Sequence, residues 1–221
     1  LVFAFITGPV SYFAALIFAW LINELQPKVR SVFTLLFYAP SIAGNVYFMW
    51  MFIFSGDAYG IINGLLLNLG LINDPVQWLT DPRYNLNIII LVQLWLSLGT
   101  GFLSFIAGLQ AIDTQMYEAG AMDGIRNRFQ ELVYITLPAM GPMLLFGAVM
   151  QIAASFGAGS VASALAGFPS TDYSAHTIIL HAQDYATLRF ELGYASAIAT
   201  VLFFLMIFSN RVVRKILGKY L

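Results

Sequence analysis

Apolar residues fall along this chain in long blocks separated by short polar intervals, without the period-two alternation of a barrel strand. Five blocks have the length that carries an α-helix across a hydrocarbon core, about 20 residues. They are residues 1–22, 33–54, 86–109, 139–158 and 192–210. Hydrocarbon leaves no backbone polar group a partner from water, so apolar runs of this length are helices. A membrane barrel would instead show short alternating segments. The pattern predicts an all-α fold, a polytopic membrane helix bundle with five spans. With no internal repeat or low-complexity segment in view, residues 1–221 are taken as a single domain.

Composition sharpens this reading. The chain has 221 residues, 60% hydrophobic and only 10% charged, whereas a soluble domain carries about 25% charged residues. Buried helices of a large soluble protein are the alternative, and the block lengths and missing charges disfavour it. A net charge of −1 gives no reason to expect nucleic acid, and the absence of cysteine removes disulfides, thiolate zinc sites and iron–sulfur centres. The basic residues set an orientation. Lys28, Arg30, Arg126, Arg128, Arg211, Arg214, Lys215 and Lys219 fall on one side of the five spans, and only Arg83 and Arg189 on the other. The positive-inside rule makes the first side cytoplasmic. Leu1 then lies outside. It stands within an apolar run without a basic flank or cleavage site, so the chain is expected to be truncated, with one further span before it.

Two outer connections are long, 55–85 and 159–191. The first carries turn signals at Ser55-Gly56-Asp57, Asn73-Asp74-Pro75 and Asp81-Pro82-Arg83, with a short helix expected over 61–71. In the second, Gly167-Phe168-Pro169-Ser170 marks a break, followed by a helix expected over 171–188 with Asp172 as its cap. Pro9, Pro40 and Pro142 are read as kinks within spans. Tyr47, Trp50, Trp78 and Tyr84 are read as interfacial anchors.

The cytoplasmic loop, residues 110–138, is the most informative segment. Asp113 or Thr114 can cap a helix starting there, and Gly124 can close it in the left-handed conformation. Ala119, Gly120, Ala121 and Gly124 make the helix thin, so that another surface can approach closely, while Glu118 and Asp123 offer charge to a partner. A solvated loop is the other reading. The order Glu118-Ala119-Gly120, Gly124, Ile135-Thr136-Leu137-Pro138 resembles the signature loop of permease subunits of binding-protein-dependent ABC importers: Glu-Ala-Ala, three residues, Gly, about nine residues, Ile-x-Leu-Pro. Further segments resemble the maltose and glycerol-phosphate permease branch: Gly60-Ile61-Ile62-Asn63, Trp78-Leu79-Thr80-Asp81-Pro82, Trp95, Leu109-Gln110-Ala111-Ile112 and Gly193-Tyr194-Ala195-Ser196-Ala197. The chain departs from the pattern in four places. Gly120 replaces an alanine, Asp113 a proline, ten residues separate Gly124 from Ile135, and Ala166-Gly167-Phe168-Pro169 replaces an outer Gly-Gly-Pro. These departures suggest a sub-branch for oligosaccharides or polysaccharide fragments, such as the alginate-type importers.

The resemblance implies a transport subunit of the bacterial or archaeal inner membrane, without an ATPase site of its own. Its partners would be a second homologous permease, two ATPase subunits binding ATP and Mg, an extracytoplasmic solute-binding protein, a sugar and the lipid bilayer. The chain contains no Gly-x-x-x-x-Gly-Lys-Ser/Thr phosphate loop. Contact with the ATPase would fall to Asp113, Tyr117, Glu118, Ala119, Gly120, Asp123 and Gly124. Polar residues within spans face cavities or neighbouring helices. Gln93, Ser97 and Thr100, spaced by four and three, are expected to share one helix face, as are Gln151 and Ser155, and Ser41 and Asn45. These are the candidate sugar contacts, with ordinary interhelical hydrogen bonding as the alternative for each. Trp95 is open to sugar stacking or to core packing. His176 and His181 lack a third ligand and are read as outer helix surface, not a metal site. Two other classes remain open. An ion-driven secondary transporter would want an ionisable residue deep in a span, which the five blocks lack. A structural membrane protein would not account for the ordered loop.

Overall fold

The computed structural model describes residues 2–218. The topological expectations for Leu1 and Lys219 lie outside the described residues. Within them the regular structure is helical. In chain order the α-helices are α1 (Val2–Asn23), α2 (Pro27–Ile42), α3 (Tyr47–Ile53), α4 (Ile61–Asn68), α5 (Asn85–Leu96), α6 (Thr100–Ala111), α7 (Thr114–Met122), α8 (Arg128–Glu131), α9 (Leu137–Ala139), α10 (Gly141–Gly157), α11 (Ser160–Ala166), α12 (Ile178–Thr187) and α13 (Leu192–Leu217). A π-helical turn, Leu132–Thr136, lies between α8 and α9, and a 3₁₀ turn, Thr171–Tyr173, precedes α12.

Among the described residues four helical stretches are long and apolar enough to cross a membrane: Val2–Asn23, Asn85–Ala111, Gly141–Ala166 and Leu192–Leu217. The second sequence block is not a continuous span. It divides into α2 and α3, and the count reaches five only if this broken pair is one span. Pro40 cannot donate within the last turn of α2, and Asn45 adopts φ 58°, outside the helical region. Pro9 lies inside a helix that continues through it. Pro142 sits in the first turn of α10, where a missing N–H costs nothing.

The described residues form two compact units, each assembled from three stretches of chain. One comprises residues 8–42, 97–153 and 205–218. Its core takes Tyr12, Ala15, Ala19 and Ile22 from α1, spaced three, four and three so that they share one face. Phe102, Phe105, Ile106 and Leu109 of α6 and Leu144 and Ala148 of α10 complete it, with Met140 just before α10. Lipid tails are as apolar as these side chains, so close packing holds the helices together here more than the hydrophobic effect. Ala15 and Ala19 let neighbours approach, and Phe102 and Phe105 are fully buried. Tyr12 packs edge-on to Phe105 at 5.3 Å and donates its hydroxyl to the Leu144 carbonyl at 3.2 Å.

The other unit comprises residues 2–7, 43–96 and 154–204. Its core joins Ile89 and Val92 of α5 to Val161, Ala162, Leu165 and Ala166 of α11, with Leu180 of α12 and Phe3 of α1. An aromatic row runs through this unit: Trp95 to Trp50 at 5.3 Å, Trp50 to Phe54 at 5.8 Å, Phe54 to Trp78 at 6.3 Å and Trp78 to Tyr84 at 5.4 Å. Trp95 therefore packs in this row. The second outer connection departs from expectation. Asp172, at φ 50°, does not cap a helix. α12 begins at Ile178, with the Thr177 hydroxyl accepting from the Leu180 N–H.

Asn63 organises the first outer connection. It is completely buried. Its amide nitrogen donates to the carbonyls of Ser55 at 3.1 Å, Asp57 at 3.1 Å and Val76 at 3.0 Å. Its oxygen accepts from the Val76 N–H at 3.1 Å and the Trp78 indole at 2.8 Å. One side chain thus closes residues 55–78 into a folded flap. Replacing Asn63 with Ala should destabilise this flap by roughly 2–4 kcal/mol, since buried donors and acceptors lose their partner. Asn63→Asp should cost at least as much, because a carboxylate offers three carbonyls no donor. Limited proteolysis of the purified protein, read for cleavage within 55–80, checks this: both variants should be cut well before the wild type.

Candidate functional site

α7 stands between two spans as a separate, capped unit. Asp113 adopts extended backbone geometry and its carboxylate accepts from the Gln115 N–H at 3.0 Å. The far end closes at Gly124, φ 96°. There the Ile125 N–H donates to the Gly120 carbonyl at 2.9 Å and the Gly124 N–H to the Ala121 carbonyl at 3.3 Å. That paired pattern is a Schellman terminus, which glycine adopts without a Cβ penalty.

The helix has two distinct faces. Glu118, Ala119, Ala121, Asp123 and Gly124 are exposed, and so is Met122, at 89%. Gly120 is buried, and this corrects the expectation that it presents itself to a partner. A Cβ at Gly120 would lie 2.6 Å from the Ile135 side chain and 3.1 Å from that of Ile125. The surface that exploits the thin stretch is therefore the chain's own. Tyr117, half-buried, also turns inward, its hydroxyl 3.0 Å from the Thr136 hydroxyl. Ile135 and Thr136 are both buried in the π-helical turn.

Around this joint lies a cavity of about 420 Å³, lined by residues that include Trp20, Glu24, Arg30, Tyr117, Arg128 and Thr136. Arg128 pairs with Glu131 at 2.8 Å and with Glu24 at 3.2 Å. The Glu131 hydrogen bond, with both carboxylates nearby, raises the Arg128 pKa further. Sequence reasoning missed this ion pair because Glu24 and Arg128 belong to different loops.

The polar residues of the spans are placed differently from the helical-face reading. α5 ends at Leu96 and α6 starts at Thr100, so Gln93, Ser97 and Thr100 do not share a helix face. Gln93 is buried, Ser97 half-buried and Thr100 exposed. Asn45, at φ 58°, lies outside a helix and is exposed, so it does not pair with Ser41 on one face. Gln151 and Ser155 are both buried on α10. The structure brings Ser97 and Gln151 together. The Gln151 amide nitrogen donates to the Ser97 carbonyl at 3.1 Å, and its oxygen accepts from the Ser11 hydroxyl at 3.3 Å. Ser11 is a polar residue in an apolar block, and a partner 140 positions away leaves no signal in the sequence.

A second cavity, about 170 Å³, includes Ser155, Ser174 and His176 in its lining. The two histidines sit in an aromatic row: His176 stacks on Phe168 at 6.2 Å and meets His181 edge-on at 5.5 Å. Burial, then the neighbouring His181, lowers the His176 pKa and favours its neutral form. Among the described residues no group of three potential metal ligands comes together. Asp184, buried on α12, is paired with Arg189 at 2.9 Å, whose guanidinium lies over the Tyr185 ring at 4.4 Å.

A family model described as binding-protein-dependent transport system inner membrane component matches residues 3–219. The chain belongs to this family. As a member it is a transport component and a multi-pass membrane protein. It is 34% identical over 194 residues to the probable ABC transporter permease protein YesP of Bacillus subtilis, covering 85% of this chain and 60% of that protein. It is 31% identical over 147 residues to the lactose transport system permease protein LacF of Rhizobium radiobacter, covering 66% of this chain and 48% of that protein. The chain thus spans about half to two thirds of the length of these relatives. In fold it is similar to a chain of a bacterial alginate ABC transporter crystallised with an alginate pentasaccharide-bound periplasmic protein. The TM-score is 0.82 at 23% identity, over 98% of this chain and 76% of that one.

For an inner membrane component of this family, Gln151 has a structural role that its burial and two hydrogen bonds define. Gln151→Leu removes both bonds and should lower stability by about 1–2 kcal/mol, the upper range for polar contacts between membrane helices. Gln151→Glu should cost more, because it sets a carboxylate against the Ser97 carbonyl. Thermal unfolding in detergent reads this directly. An unshifted midpoint for both variants would return Gln151 to the candidate sugar contacts.

Proposed function

We propose that this chain is a transmembrane permease subunit of an ATP-driven importer. It would receive a sugar or oligosaccharide from an extracytoplasmic binding protein and deliver it to the cytoplasm by alternating access. The observation that carries this reading is the family match over residues 3–219, and α7 lies in the segment whose residues resemble the signature loop of importer permeases. The names of the relatives supply the substrate class, since lactose, arabinooligosaccharide, sulfoquinovosyl glycerol and trehalose/maltose permeases are among them.

In this reading residues 1–221 act as one permease domain in the inner membrane, with residues 110–138 in the cytoplasm. A second, homologous permease pairs with it, and two ATPase subunits bind ATP and Mg below. α7 is the contact with one ATPase. Its outward face combines the charges of Glu118 and Asp123 with the exposed Met122 side chain, which suits a partner surface that is basic around an apolar pocket. Gly120 supports that face from behind. ATP shifts the inward–outward equilibrium only as far as the ATPases contact its two states differently. The loaded binding protein biases the same equilibrium from outside, and that coupling is reciprocal. Gln93, Ser97, Thr100, Gln151, Ser155 and Asn45 are the sugar-contact candidates, and Gln151 also bonds the Ser97 carbonyl and the Ser11 hydroxyl.

The test is ATP-dependent sugar uptake by the complete transporter in proteoliposomes. Glu118→Lys should reduce uptake by an order of magnitude or more through like-charge placement at the contact, while the permease still reaches the membrane. Labelling adds a topological check: cysteine at Asp81 should react from outside and at Asp113 only from inside. Reaction of both from one side would overturn the orientation.

A further inference from the structure

The inward face of α7 grips the turn that leads into the next span, and two hydroxyls make the grip. Tyr117 and Thr136 are 19 positions apart, and their oxygens lie 3.0 Å from each other. One turn further along α7, Ile135 fills the space that a side chain at Gly120 would need. Both contacts land on the π-helical turn Leu132–Thr136. That turn has a local cause. Proline cannot donate, and its ring clashes with the carbonyl four residues before it, so Pro138 disfavours an α-turn over Tyr134. The wider turn instead places the Leu137 N–H on the Leu132 carbonyl. Single π-turns occur within α-helices as local register shifts, frequently at functional sites. Here the shift stands immediately before α9 and the span that begins at Gly141.

Resting on the importer reading above, we propose that Tyr117 and Thr136 are positioning residues for transport. Their hydrogen bond holds α7 on the π-helical turn, so that a displacement of α7 reaches the Gly141–Ala166 span and is not absorbed in the loop. Tyr117 then serves coupling through the chain's own span, not by touching the ATPase. Thr136 offers one hydroxyl, Tyr117 the other, and the rest of each side chain packs: Thr136 is 2% exposed. The Arg128 pairs with Glu24 and Glu131 lie beside the joint but are largely solvent-exposed, and pairs of that kind contribute little rigidity.

The experiment uses the complete transporter, wild type and the variants Tyr117→Phe, Thr136→Val, Thr136→Ser and the Phe/Val double variant. ATP hydrolysis and uptake of a radiolabelled sugar are measured in the same proteoliposomes. Removing either hydroxyl should raise the ATP consumed per sugar imported by about tenfold, the scale of one hydrogen bond. Thr136→Ser should restore the wild-type ratio, and the double variant should be no worse than either single one, since both remove the same bond. An unchanged ratio in Tyr117→Phe and Thr136→Val overturns the proposal. So do independent, multiplying effects, or failure of these variants to assemble with the ATPase, which would assign the pair to folding alone. Absence of ATP-dependent uptake in the wild type would instead sink the importer reading.

Discussion

A carbonyl released by a helix break within hydrocarbon must find its donor in protein, because no water is there to supply one. The unit built from residues 8–42, 97–153 and 205–218 is arranged around that constraint. The apolar span Asn85–Ala111 is interrupted between Leu96 and Thr100. The Ser97 carbonyl receives the Gly99 N–H at 2.8 Å and the Gln151 amide at 3.1 Å, and Gln151 is in turn held by Ser11. The two Gln151 bonds register α1, α10 and the start of α6 against one another. Phe102 and Phe105 then find their places against Tyr12, Ala15 and Ala19. α10 carries Gln151, and the segment that precedes it carries the π-helical turn on which α7 rests. The same unit thus contains the break, the packing that follows from it and the platform for α7.

The long apolar blocks made the helical membrane fold legible, because length and absence of charge leave few other structures. The short helix expected over 61–71 is found at Ile61–Asn68, and the Asp113 and Gly124 signals mark both ends of α7. What the sequence concealed has specific physical reasons. Helical spacing presumes an unbroken helix, so the face assigned to Gln93, Ser97 and Thr100 dissolved with the break before Thr100. Ser97 and Gln151 each stand out as polar residues in apolar blocks, but a contact 54 positions apart leaves no trace in periodicity along one helix. Pro40 was read as a kink, whereas with Asn45 at positive φ the second block is divided outright. The helix expected over 171–188 failed for a similar reason: Asp172 takes positive φ and Thr177 holds the cap. Asn63 stands out in the sequence only through a resemblance, because its five hydrogen bonds join positions 6 to 15 residues apart. Gly120 was recognised as small, but only the position of Ile135 showed which neighbour uses the space.

Ile135 and Thr136 of the π-helical turn face α7 through Gly120 and Tyr117 respectively. The outward side of α7 is left with Glu118, Ala119, Met122 and Asp123 exposed. The middle of α13 exposes residues of another kind, Val201, Phe203, Phe204 and Phe208, before the exposed Arg211, Arg214 and Lys215 near its end. That apolar stretch suits lipid or a second permease, whereas the α7 face suits a water-soluble partner.

The central claim is that the outward face of α7 meets an ATPase, and site-directed crosslinking tests it most directly. A single cysteine at Ala119, in a transporter whose ATPase carries single cysteines around its membrane-facing surface, should form a crosslink to at least one of them. The same cysteine at Gly120, buried against Ile135, should form none. Equal crosslinking from both positions, or none from Ala119 in a complex that transports sugar, would contradict the account.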